Sequence, residues 1–511
     1  MSSKGGASGA FLQDIAHYPV PDAPPSRPVP PDKVPPGCPL PTWEVAAVGP
    51  DGDVWVGGEH GAARYSKGMW RCFWGRRWLP ANHVTELRFD GLDAWLRTDA
   101  GWSRIERRPM TLEQKAEHYQ RLTEERHTLG GFVARCKLSP GGEPSHFYRS
   151  VDNDGLWTGL YVAAQCFRFA STADAEATRR ADESMAALLS LEQATGIPGF
   201  PARSLVRRGA ANVLWNEGEW FESETIPGSW WKGDTSSDEL SGHFFAYHVY
   251  WSLMPDGRHR ERVAATCGRI LDHLLGNDYR LIGPGGLPTR WANFRPSSLN
   301  DDPEWDHERG LNSLCILAFL AVGHLLTGNP AYDQAMQRLI EQHGYMRNAI
   351  TQKMLAPYEV NHSDDQLAFL AYYSLARLIP SGDNRELLLD SLRRSIEIER
   401  PERCSLFNLI AAAIEPDENL VADARSTLEE WPWDLRDWEC RNSFRTDVEI
   451  DPTPDRFGRR QLTTVLPPSE RPVYRWNTNP YVADGGGDGT MEEDGAAWLL
   501  AFWLGRHHGL L

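Results

Sequence analysis

The chain has 511 residues, enough for one large core or for two to four ordinary domains, and its 41% hydrophobic and 24% charged residues are ordinary globular usage. Its 53 Lys and Arg against 70 Asp and Glu leave a formal charge of −17. That excludes the broad basic footprint of a nucleic-acid binder and general electrostatic attraction to anionic membranes.

Residues 1–42 are rich in proline and glycine, and the stretch from Val20 to Pro41 suits neither a helix nor a central strand. An extended arm is expected there. The opening Met1-Ser-Ser-Lys-Gly-Gly leads into no long apolar segment, so no secretory signal is expected, and no apolar run reaches membrane-spanning length. The eight cysteines (Cys38, Cys72, Cys136, Cys166, Cys267, Cys315, Cys404 and Cys440) form no Cys-x-x-Cys pair, and several sit in apolar helical stretches. Reduced thiols and a cytoplasmic location are expected, with no metal and no cofactor.

Residues 43–108 contain a repeat. Asp53-Val-Trp55 with Gly61 and Arg64 matches Asp93-Ala-Trp95 with Gly101 and Arg104, at an offset of 40 residues. Each unit reads as a strand, a glycine turn and a second strand, which predicts a small antiparallel β module. The units resemble the repeats called two-component regulator propellers. Two such units cannot close a propeller, which takes about four to eight blades, so a module packed on the main domain, as support or lid, is expected.

From residue 109 to 511 the period is helical. Helices are predicted near 111–128, 156–171, 173–195, 238–254, 258–276, 307–327, 330–344, 364–379, 384–398, 403–414, 420–430 and 491–508. Links alternate between short (Ser171-Thr172, Pro255 to Gly257, Gly328-Asn329, Pro380 to Asp383) and long (196–237, 277–306, 345–363, 431–490). Short links make antiparallel hairpins, and long links in a compact domain commonly carry function. The alternation fits a mainly α chain folded as an (α/α)6 toroid. Its inner helices start near 156, 238, 307, 364, 403 and 491, and the first helix closes the ring against the last.

Five of those inner helices open on acidic clusters: Asp152 to Asp154, Asp234 to Glu239, Asp301 to Glu308, His362 to Asp365, and Glu492 to Asp494. Helix N-termini stabilise negative charge, and Asp, Ser and Asn are also ordinary caps, so each cluster reads either as a cap or as part of a shared rim. With this helix alternation and these acidic, Trp-rich openings, residues 110–511 resemble the α/α-toroid carbohydrate-active enzymes: glycoside hydrolases, unsaturated-uronyl hydrolases, polysaccharide lyases and sugar epimerases. The resemblance implies an enzyme that cleaves a glycosidic bond in a poly- or oligosaccharide, with uronates among the candidate sugars.

The residues that would carry such chemistry lie at the openings. Asp234, Asp238 or Glu239, paired with Asp365 or Glu493, would flank a glycosidic bond as acid and base. His243, at i+4 from Glu239, shares its helix face, and His362 could shuttle a proton. A lyase would use His243, His362 or Tyr481 as its base. Asp154, Trp157, Trp231, Trp291, Trp476, Asn477, Asn479 and Tyr481 suit hydrogen bonds to sugar edges and stacking on sugar faces. Arg203, Lys232, Arg290 and Arg475 are the cations for a carboxylate-bearing sugar, or internal partners of the rim acids. The Asp152-x-Asp154-Gly155 opening lacks the later Glu of a calcium loop. No Gly-x-Ser-x-Gly elbow, P-loop or His-Glu-x-x-His motif is present. An isoprenoid cyclase on an α-toroid and a non-catalytic glycan binder are the competing readings. The expected partner is a glycan or small molecule, with neither nucleic acid nor membrane; the sequence does not fix the oligomeric state.

Overall fold

A computed structural model describes residues 26–142, 145–150, 152–210, 212–353, 361–472 and 474–511. The first part of the predicted arm, residues 1–25, lies outside the described residues. From Ser26 the arm runs along the β module, interrupted by a 3-10 turn at Pro31–Lys33 that the expected extended arm did not include; the Val29 amide donates to the Ala46 carbonyl, and Val29, Val34 and Leu40 pack on Val56 and Cys72.

The module comprises two antiparallel sheets. One joins β1 (Val45–Val48), β2 (Val54–Gly58), β3 (Gly61–Ser66) and β4 (Met69–Phe73); the other joins β5 (Val84–Asp90), β6 (Asp93–Thr98) and β7 (Gly101–Ile105). The sequence repeat is repeated in side-chain contacts. Arg64 pairs with Asp53 at 2.6 Å and lies over Trp55, and Arg104 pairs with Asp93 at 2.5 Å and lies over Trp95. Arg77 fixes the module to the main body by donating to Asp434 at 3.0 Å and to the Arg436 carbonyl at 2.8 Å.

Twelve longer helices follow: α1 (Leu112–Leu122), α2 (Asp154–Thr172), α3 (Ala175–Thr195), α4 (Ser237–Leu253), α5 (Arg260–Gly276), α6 (Arg309–Thr327), α7 (Pro330–His343), α8 (His362–Leu378), α9 (Asp383–Glu399), α10 (Ser405–Ile414), α11 (Glu418–Glu430) and α12 (Ala496–His507). α2 packs on α4, α4 on α6, α6 on α8, α8 on α10, α10 on α12, and α12 returns to α2. That circuit is closed. α3, α5, α7, α9, α11 and α1 lie outside it, each against its inner neighbour. The molecule is therefore an α/α toroid.

Composition explains the two rings. Inner helices are buried over most of their length; α6 is apolar on every side, as a helix enclosed all round must be. Among the described residues α6 alone is long and apolar enough to cross a membrane, which the sequence reading did not expect, yet it is buried within the protein as an inner helix. Outer helices bury one stripe. Asp174 caps α3 and Asn329 caps α7, ahead of Pro330, and Gly196 and Gly344 end these helices in the left-handed region.

The long links are not structureless. They form short sheets: 205–207 with 229–232 and 220–222, 280–282 with 288–293, and 450–451 with 461–462. The last link corrects the expected helix start at 491. Asp484–Glu492 is a strand paired with 436–441 and 136–138, and α12 begins only at Ala496, whose amide donates to Asp494 at 3.0 Å. Pairing to two neighbours through Glu492 outweighs a helix that would start at Met491, just after a glycine-rich run.

Candidate active site

The N-termini of the inner helices meet on one rim. Asn153, before α2, donates to Asp238 of α4 at 3.1 Å. His362 Nδ1 of α8 lies 2.8 Å from Glu402 Oε1, just ahead of α10. Arg475 lies over Trp157 of α2, 3.8 Å from the ring centroid, and pairs with Asp494 ahead of α12 at 3.0 Å.

Within the rim, α4, α6 and α8 open onto a cleft of about 470 Å³. Asp238, Glu308 and Asp364 supply its carboxyls, Arg203, Lys353 and Arg456 its cations, and Trp291, Phe457 and His307 its rings. Each acid stands at a helix start for a local reason. Ser236 caps α4 in a capping box, its hydroxyl donating to Glu239 Oε2 at 2.7 Å while accepting the Asp238 amide, and this sets Asp238 on the open side. Glu308 is the residue before α6 and offers no side-chain cap, which leaves its carboxyl free to face the cleft. Asn361 caps α8 and donates to Asp364 at 2.6 Å.

Crowding three acids raises their pKa values. Burial, then the charges of Asp364 and Asp238, pushes the Glu308 carboxyl up to about 8. Asp364 is pushed up to about 7 by burial and then by Asp365 and Asp238. Burial raises Asp238 as well, but Arg203 and the Asn153 amide oppose it. Glu239, behind Asp238, is raised to about 7 by burial against the pull of Arg203. The cleft thus holds acids with different tendencies to keep a proton near neutrality, the condition for one to donate while another accepts.

The expected site residues divide into three groups. Asp238, Arg203 and Trp291 line this cleft. A second group lies immediately behind it. Glu239 is buried, and Asp365 pairs with Lys353, which also holds Glu399 at 2.9 Å. His362 stands beside this cluster, its pKa pushed down to about 4 by burial and Lys353. Buried His243 rests its Nδ1 2.8 Å from the Tyr247 hydroxyl, and burial pushes its pKa down to about 3.

The third group braces the structure. Asp234 is exposed, in the left-handed region at φ 51°, and accepts the Arg290 amide at 3.0 Å; Arg290 covers Trp291 at 4.4 Å. Lys232 pairs with Asp152 and donates to Asn216 at 2.9 Å. Asp154 is buried and accepts from Ser150 at 2.6 Å. Trp231, expected as a stacking face, is buried with Phe221 against its ring, and Trp476 is a core ring donating to the Ala497 carbonyl at 2.9 Å. Trp157 has its face taken by Arg475. Glu493 lies between Arg135 at 2.7 Å and Arg475 at 2.6 Å; burial works to raise its carboxyl, but the two arginines hold it below the ordinary value. Asn477 is half-buried on the same segment, Asn479 donates to Gln461 at 2.7 Å, and Tyr481 stands near His362.

Glu308, Asp364, Lys353, Arg456 and Phe457 were not among the expected site residues. The signal for the first two was present, since Glu308 ends the acidic run that leads α6 and Asp364 adjoins Asp365. Arg456 and Phe457 sit on the 452–460 turn of a long link and carry no motif. A separate depression of about 390 Å³, between the ends of α3 and α5, has its Glu192 and Arg269 paired at 2.7 Å.

No family model and no curated protein matches the chain. Among solved structures it is similar to a family 88 glycosyl hydrolase from Bacteroides vulgatus (12% identity, 78% of this chain and 99% of that one, TM-score 0.38). It is similar to a sugar epimerase from a ruminal bacterium (11% identity, 77% and 98% covered, TM-score 0.40). A thermostable endoglucanase from Alicyclobacillus acidocaldarius is likewise similar (12% identity, 90% and 97% covered, TM-score 0.42). These likenesses are distant, and the toroid assignment stands on the helix packing itself.

Proposed function

We propose that the protein is a carbohydrate-active enzyme that hydrolyses a glycosidic bond in the cleft at the mouth of the toroid. Glu308 is the general acid, kept protonated near neutrality by burial and by its two acidic neighbours. Asp238 is the base, the one of the three cleft acids whose charged form Arg203 and Asn153 favour. Asp364 holds the proton on Glu308 through its own charge. Phe457, 71% exposed, offers a ring for sugar stacking, and Trp291, with Arg290 on one face, lines the same cleft. The observation that carries this reading is the convergence of three carboxyls from three separate inner helices on one cleft flanked by aromatic rings.

The test is release of reducing ends from a panel of neutral and uronate-containing oligosaccharides. Wild type should release them, and Glu308→Gln and Asp238→Asn should each lower kcat by about 10²–10⁴-fold. No turnover of any panel member by wild type, or full activity in Glu308→Gln, would sink the assignment. Turnover that instead produces the near-ultraviolet absorbance of an unsaturated uronate would replace hydrolysis by elimination.

A further inference from the structure

Away from the cleft, three side chains with metal-binding chemistry converge where the first and last parts of the toroid meet. His127 ends the π-turn Thr123–His127 that follows α1, Cys136 opens the strand Cys136–Leu138, and Glu492 ends the strand Asp484–Glu492. Antiparallel pairing sets Cys136 opposite Glu492. All three are buried, at 0%, 0% and 2% exposure. Glu492 Oε2 lies 3.2 Å from His127 Nε2, and Cys136 Sγ lies 3.9 Å from each of those atoms.

A tetrahedral zinc ion with Zn–S of about 2.3 Å and Zn–N and Zn–O of about 2.0–2.1 Å needs its donors roughly 3.3–3.6 Å apart. The observed triangle is within a few tenths of an ångström of that. The imidazole is also oriented for it. His127 Nδ1 lies 3.0 Å from the Ala134 carbonyl, so a proton on Nδ1 donates there, and Nε2 is aimed at the other two donors, ready to bind a metal once its own proton has left. Arg126 Nε lies 3.1 Å from the same Glu492 oxygen.

We propose that His127, Cys136 and Glu492 form a structural site for one divalent cation of the zinc type. A thiolate, an imidazole and a carboxylate favour zinc over the oxygen-preferring magnesium or calcium. On binding, the Cys136 thiol and the His127 Nε2–H that otherwise donates to Glu492 both release their protons to solvent, and the thiolate and the freed imidazole nitrogen take the metal. The other cluster of this kind among the described residues, His362 with Asp365, Glu399 and Glu402, differs in a decisive respect, because the Lys353 ammonium already supplies its cation. In the Cys136 site, among the described residues, no cation bridges two of the donors; Arg126 is paired with Glu492 alone. His127 and Glu492 are separated by 365 residues, so the metal would tie the start of the toroid to its closing strand. The site is independent of the reading of the cleft.

The test uses the full-length chain produced in cobalt-supplemented medium and passed over a desalting column. The expected result is one cobalt per chain with a thiolate-to-cobalt charge-transfer band. That band should be lost in Cys136→Ser, and metal retention should fall about tenfold or more in His127→Gln and Glu492→Gln. Zinc-loaded wild type should lose thermal stability on chelation. Wild type with no charge-transfer band, or Cys136→Ser retaining metal as wild type does, overturns the proposal. Should Cys136→Ser fail to fold, the wild-type spectrum decides alone, because no other cysteine belongs to a metal-competent cluster among the described residues.

Discussion

Asp364 and Asp365 are adjacent in sequence and face opposite surroundings. The helical turn between them sends Asp364 into the cleft and Asp365 back onto Lys353. This difference sets two predictions. As general acid, Glu308 must be protonated, so the rate falls as pH rises through its pKa. Asp364→Asn removes a charge that raises that pKa. The basic limb of the kcat/KM profile should therefore move to lower pH in Asp364→Asn, and an unmoved limb would take the acid role from Glu308. Behind the cleft, Lys353→Met leaves Asp365 and Glu399 buried without their cation. Denaturant unfolding should show a loss of about 3–5 kcal/mol at mildly alkaline pH, and a smaller loss at acid pH, where both carboxyls protonate. The sequence marked the acidic pair at the start of α8 as part of the rim. It could not say which member faced inward, because a one-residue error in a helix start rotates the whole face by about 100°. Trp231 and Trp476 failed for a related reason: composition marks tryptophan as stacking or core alike, and only the neighbours Phe221 and Ala497 decide.

At the scale of elements, the order of inner and outer helices was legible because short links force hairpins, and all twelve predicted helices are present. What the pattern could not supply was how closely two neighbours approach. α2 and α4 meet through glycines: a β-carbon at Gly242 would stand 2.6 Å from Leu156 Cα, and one at Gly159 would stand 2.6 Å from the Gly242 carbonyl oxygen. Backbone atoms cannot yield as side-chain tips can, so Gly242→Ala must separate the helices. The expected cost is about 1–3 kcal/mol by thermal or denaturant unfolding. The same separation stretches the Asn153 to Asp238 hydrogen bond, so kcat should fall more than stability at the assay temperature explains. Gly276→Ala, near the end of α5 with nothing within 4 Å of its β-carbon, is the control. It should leave kcat unchanged and, by helix propensity, keep or improve stability. Equal losses in both variants would show that close packing of α2 on α4 does not set the geometry of Asp238.

The whole molecule keeps many acids out of water, and this makes its stability a function of pH. Burial first, then like charges, raises Glu308 to about 8 and Asp364, Glu402 and Glu399 to about 7; Asp365 and Glu239 are also raised to about 7, by burial against the pull of Lys353 and Arg203. A raised carboxyl binds its proton more tightly in the folded chain than in the unfolded one. Its contribution is fully present below the unfolded pKa and is lost as pH rises through the folded value. Four histidines act in the opposite direction: burial lowers His243 to about 3 and His248, His362 and His508 to about 4. Their contribution is present above the unfolded histidine pKa and is lost as pH falls. The two sets oppose each other on the acid side. On the alkaline side these carboxyls still titrate: near neutrality folding makes each of the six take up a proton that the ionised unfolded carboxylate does not hold. Thermal unfolding should therefore show a falling Tm from about pH 6 to about pH 8, steepest near pH 7. Asp364→Asn should flatten that fall, since it removes one raised carboxyl and relaxes Glu308 beside it. A Tm that is level or rising across this interval would mean that the rim acids are ionised and individually paired, and the proton that Glu308 must donate would not be there.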